Sequence, residues 1–186
     1  MTVQHSPADA APAVLDFWFD EVGRERWFAK SDALDARLAK RFAALHRDLL
    51  VARAEAWRDS PEHLLAAVIV LDQFSRNLHR GSARAFAADP IALELAMLGL
   101  DRGWDGAMTS DRRQFLLLPL MHSEQLADQQ RALVEFAKLG DPGVLAFAKQ
   151  HHDQIVRFGR FPGRNAALGR RTTAEEQDAL DGGAAF

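Results

Sequence analysis

Leu64-Leu65-Ala66-Ala67-Val68-Ile69-Val70-Leu71 decides the fold class of this chain. Eight apolar residues in a row read either as a helix buried on every side or as a strand of a parallel sheet. The residues before them choose between the two. Ser60-Pro61-Glu62 offers a side-chain cap, a proline at the first helical position and an acid in the first turn. No second strand-like run exists to pair with, so the segment is expected to be the central, most buried helix. It is also the longest apolar run, far short of the roughly 20 residues that cross a bilayer. A protein off the membrane, in the cytoplasm, is the expectation.

Helical patterns continue on both sides. Upstream, Val14, Leu15, Phe17, Trp18 and Phe19 suggest a short buried helix ending near Gly23, with Trp27 and Phe28 packed against it. Leu34, Leu38, Phe42, Leu45 and Leu49 form a stripe at helical spacing within a segment expected to run from Asp32 to Trp57, opposite Asp35, Arg37, Lys40, Arg41 and Arg47. Downstream, Asp89-Pro90 caps a helix to Leu100, and another starts at Thr109, where Pro119 is expected to break or kink it. Ser123 is expected to cap the next helix with Glu124 in its first turn. Asp141-Pro142 opens a helix that Gly159 closes, and Thr173-Ala174-Glu175-Glu176 reads as a capping box. The result is an all-α fold of about eight helices in stacked antiparallel pairs. Its expected organisation is a disordered lead over residues 1–12, one helical domain over 13–181 and a flexible tail over 182–186.

Composition narrows the function classes. The 186 residues carry 23 Lys+Arg against 26 Asp+Glu, a net charge of −3, which argues against a general nucleic-acid binder. With no cysteine there is no disulfide, thiolate site or thiol nucleophile. Met1–Pro12 has neither the basic nor the apolar region of a signal peptide. Nearly all the cations are arginines, permanently charged forks suited to carboxylate and phosphate.

Three polar segments do not fit a plain bundle. Asp72, Gln73, Arg76 and Asn77 prolong the most apolar helix, where polar groups need partners unless the helix simply emerges into water. His122 sits just after Pro119, with Ser123 and Glu124 beside it. His151 and His152 precede a loop in which residues 157–171 hold five arginines and no acid, with Phe158 and Phe161 interleaved as anchors. The histidines and carboxylates match no metal-ligand spacing, and no elbow presents Ser123 to His122 and Asp72 as a triad, so neither metal nor cofactor is expected.

These segments, with Phe17-Trp18-Phe19, Leu71 to Asn77, Pro119 to Glu124, Phe158 to Asn165 and Leu168-Gly169-Arg170, resemble the bacterial family of unknown function DUF924 from about Val14 to Leu180. The resemblance implies a helical fold similar to tetratricopeptide-repeat arrangements and brings no activity with it. Two positions depart from the family pattern. Ser75 stands where proline is usual, and Gly163 where histidine is usual, which removes one acid–base group or ligand from the loop. His151 matches the family's histidine seven residues before Phe158 and is preferred to His152.

The expected site is therefore a pocket for a small anionic metabolite, a carboxylate or phosphate. Arg76, Arg160 and Arg164 would hold the anion, while Asp72, Gln73, Asn77 and Asn165 orient it. His122 and His151 are the candidates for proton transfer, with Glu124 as their carboxylate partner. Two rivals stand beside this reading: a helical adaptor for a protein or peptide partner, and a purely internal polar network that fixes the fold.

Overall fold

The computed structural model describes residues 5–183, and every regular element in that range is helical. The helices form two compact units. One runs to Arg80 and resumes over Arg84–Met108; the other holds Gly81–Ala83 and the chain from Thr109 onward.

The first unit is built on α3, Pro61–Ile69, whose Ser60 hydroxyl accepts the His63 N–H at 3.2 Å as the cap motif requires. Every residue from Leu64 to Ser75 is buried. The helix does not simply continue, because Val70–Phe74 widens into a π-helical turn before α4, Ser75–Leu78. A second π turn, Phe17–Val22, follows α1, Pro7–Asp16, and ends at Gly23, whose φ of 74° suits a residue without Cβ. Phe17, Trp18, Phe42 and Phe74 meet where these turns face α2, Asp32–Val51, with ring centroids 5.1–6.1 Å apart in tilted or edge arrangements. α5, Asp89–Asp101, packs on α3.

Several boundaries differ from expectation. The lead expected over residues 1–12 is helical from Pro7, since proline suits the first turn and Ala11 is fully buried; residues 1–4 and 184–186, within the expected lead and tail, lie outside the described residues. α2 stops at Val51, short of Trp57, because Arg53 and Ala54 adopt left-handed φ values of 50° and 51°. Trp27 is buried and donates its indole N–H to the Trp18 carbonyl at 2.8 Å, whereas Phe28 is exposed. Asp89 is the first helical residue of α5 and not its cap, which leaves its carboxylate to serve elsewhere.

In the second unit α6, Ser110–Met121, α7, Leu126–Ala137, and α8, Pro142–Phe158, pack in sequence through four-residue connections at 122–125 and 138–141. α6 runs through Pro119 instead of breaking there. A proline removes one bond, to the Phe115 carbonyl, while the residues around it, Phe115 to Met121, are all buried. α7 begins at Leu126, so Ser123 and Glu124 lie in the connection and not at a helix start; Ser123 instead accepts from Gln125 N–H and donates to Asp128. α9, Ala174–Asp181, carries the expected capping box.

Candidate functional site

Within the first polar segment Asp72 and Gln73 are buried, while Arg76 and Asn77 are half-buried. Asp72 is 1% exposed. The Arg76 guanidinium donates to the Asp72 carbonyl oxygen at 2.7 Å, lies 3.1 Å from the Asp72 carboxylate, and meets both oxygens of Asp89 at 3.1 and 3.2 Å. Burial opposes this cation, but Asp72 and Asp89 outweigh it and raise its pKa. Gln73 donates to Asp72. Asn77 turns the other way, to Asp35 of α2 at 2.7 Å, and Arg80 grips the same carboxylate through two bonds of 3.0 Å. Asp35, on the side of α2 opposite the apolar stripe, thus serves as a polar anchor. Gln73 does not join Asn77 and Arg80, despite the helical spacing they share.

The second and third segments meet within the second unit. His122 caps the end of α6, and its ring lies 6.1 Å from that of His151 on α8. His151 donates Nδ1–H to the Phe147 carbonyl at 2.8 Å, since a carbonyl can only accept, and its ring meets the edge of Phe161 at 5.5 Å. Arg164 lies over the other partner of this contact: its guanidinium carbon is 4.6 Å from the Phe161 ring centroid, and its Nη2 donates to the His122 carbonyl at 2.8 Å. Phe161 is fully buried, so the loop is anchored from inside.

Carboxylates absent from the loop itself clamp the other arginines. Glu124 accepts the Phe161 backbone N–H at 2.8 Å and both Arg170 amino groups at 2.8 and 2.9 Å. Burial alone would raise the Glu124 pKa; the Arg170 and Phe161 hydrogen bonds, with the Arg164 charge, reverse this and lower it. Arg160 forms a bidentate pair with Glu176 at 2.6 and 2.9 Å. That pair, with the Thr173 N–H, holds Glu176 near a pKa of about 2. Fully buried Asn165 donates to Glu176 and Thr172, and Arg157 pairs with Glu175. The positive charge of residues 157–171 is largely matched by acids from residues 124, 175 and 176.

The structure therefore unites His122, His151 and Arg164 around Phe161, and it joins Glu124 and Arg160 to ion-pair partners in the same unit. Asp72, Gln73, Arg76 and Asn77 belong to the first unit. Sequence reasoning missed Asp89, Asp35, Arg170, Glu176 and His46 as polar anchors. His46 left a signal, a histidine four residues after Phe42 on the apolar stripe of α2, and Glu176 left one in its place in the capping box. Among the described residues no group of three or more His, Asp or Glu is placed to hold a metal ion, and no helix is long and apolar enough to cross a membrane.

The sequence model of a family described as a bacterial protein of unknown function, DUF924, matches residues 14–184. The fold is similar to a solved structure of a protein of unknown function from Agrobacterium tumefaciens, with a TM-score of 0.89 and 39% identity over 94% of this chain and 98% of that one. No curated protein matches the chain.

Proposed function

We propose that this chain, which belongs to the bacterial DUF924 family, binds a small carboxylate or phosphate on the Arg164, His122 and His151 cluster of its second unit. One observation carries the reading: a buried guanidinium is stacked on Phe161 and tied to the backbone of His122, whose ring stands 6.1 Å from His151. Guanidinium and imidazole N–H groups are the donors that carboxylate and phosphate oxygens select. A fork held in place by packing loses little freedom on binding. Arg160, Arg170, Glu124, Glu176 and Asn165 then act as the frame that holds the loop, not as contacts to the guest. Arg76 faces two carboxylates of its own unit and plays the same part there. Were a proton to move on the guest, the His122 and His151 rings are the groups of the cluster that would carry it.

Thermal shift against phosphate, succinate and citrate tests the reading, with chloride at equal ionic strength as control. A Tm rise specific to one of the anions, lost in Arg164→Met, supports it. Methionine keeps apolar contact with Phe161 and removes only the charge and its donors. A set of anions that leaves Tm unmoved overturns it. That result would favour the internal-network reading, for which the Arg160–Glu176 and Arg170–Glu124 pairs speak. Arg164→Met would then lower stability and change nothing else.

A further inference from the structure

One group sets the proposed guest site apart from a plain anion cradle, and that group is His151. A neutral imidazole carries a single ring hydrogen. In His151 that hydrogen is on Nδ1, because the Phe147 carbonyl, one turn back on α8, accepts it at 2.8 Å. Nε2 is then the acceptor of the ring, and it faces away from that carbonyl. The ring is held in this sense by its neighbours, with the centroid of His122 at 6.1 Å and that of the fully buried Phe161 at 5.5 Å. Turning it over would exchange the two nitrogens only at the loss of the Phe147 bond.

A second acceptor lies beside His122. Gln129 of α7 is fully buried, and its Nε2 donates to the Met121 and Ser123 carbonyls at 2.6 Å each, one on either side of His122 in the chain. Its Oε1 finds no donor among the described residues. Buried amide oxygens without a donor are uncommon, since each gives up the hydrogen bond it had in water.

Arg164 supplies charge and hydrogens, whereas His151 Nε2 and Gln129 Oε1 call for a hydrogen in return. An ionised carboxylate has none to give. A carboxylate with a hydroxyl on the same skeleton meets both demands.

We infer that the guest of this cluster is a hydroxycarboxylate, its carboxylate on Arg164 and its hydroxyl donating to His151 Nε2. The inference rests on the anion binding proposed above and names the class of anion. Isothermal titration calorimetry of the full chain at pH 8 tests it with two pairs of acids that differ by one hydroxyl, L-malate against succinate and citrate against tricarballylate. Inorganic phosphate is a further probe. The members of each pair carry like charge, so attraction to Arg164 does not separate them. In whichever pair binds, the hydroxy acid is expected to be at least about fivefold tighter, the worth of one hydrogen bond. Arg164→Met abolishes the binding of every anion. His151→Phe, which keeps a ring against His122 and Phe161, brings the hydroxy acid down to the affinity of its partner and leaves the partner unchanged. A merely structural histidine would weaken both alike. Should that variant not fold, the pairs measured on the unaltered protein decide the matter. Equal affinity within a pair, a hydroxyl preference that survives His151→Phe, or phosphate binding without either hydroxy acid overturns the inference and leaves the anion reading standing. No binding of any of these anions overturns both.

Discussion

Ser75 has one hydroxyl proton, and its 2.6 Å bond to the Leu71 carbonyl uses it. The 2.6 Å contact with His46 Nε2 therefore runs from an imidazole N–H to the hydroxyl oxygen. Burial first, then the nearby His79 and Arg84, push the His46 pKa from 6.5 down to about 4. The unfolded chain takes up this proton near pH 6.5 and the folded chain only near 4, so stability is full above that range and declines as the pH falls through it. The loss is roughly 2–3 kcal/mol. Urea midpoints near pH 7 and near pH 4.5 measure it, and His46→Gln should remove this part of the slope. Ser75→Ala leaves the buried imidazole N–H without its acceptor and should cost about 1–3 kcal/mol, seen as a lower midpoint at unchanged m. Glu176 governs a more acidic window. Its pKa falls from 4.5 to about 2, so its contribution is present above 4.5 and lost as the pH drops through 2. Glu176→Gln should flatten the fall of Tm across that interval.

Helix ends show how far local chemistry reaches. Asp141 caps α8 by accepting the Gly143 and Val144 N–H groups at 2.9 and 3.1 Å, and Gly159 ends it with a φ of 69°. Asp141→Ala should cost about 1 kcal/mol in chemical denaturation, the usual value of a lost cap. Such caps are written in the residues themselves, which is why the starts of α2, α3, α6, α8 and α9 were legible in the sequence. Pro119 and the two π turns were not. A proline inside a helix loses one hydrogen bond, and whether the helix survives depends on what packs around it. The π turns add a residue to a turn, and no local pattern demands this. Their effect is large all the same, since Val70–Phe74 carries Asp72 and Gln73.

Across the molecule, charge is organised as partners distant in sequence. Glu124 and Arg170 are 46 residues apart, and Asp35 and Asn77 are 42 apart. The loop after α8 depends on the first of these pairs, because Glu124 holds both the Phe161 N–H and Arg170. Arg170→Ala should lower stability by about 1–2 kcal/mol, a partly exposed pair being worth less than a buried one. It should also speed tryptic cleavage at the loop arginines, read by mass spectrometry of limited digests. A loop that stays as resistant as in the parent protein would show that Phe161 alone anchors it.

Hydrophobic spacing, caps and turn residues act within a few positions of the chain, and they sufficed for the all-helical class, the burial of α3 and the ends of most helices. They also marked the polar segments as out of place. Which acid meets which arginine, and that His122, His151 and Arg164 gather at one aromatic ring, depended on folding. Ion pairs and ring contacts form between groups that the backbone brings within a few ångströms, and no short-range preference selects among the 26 acids available to 23 cations.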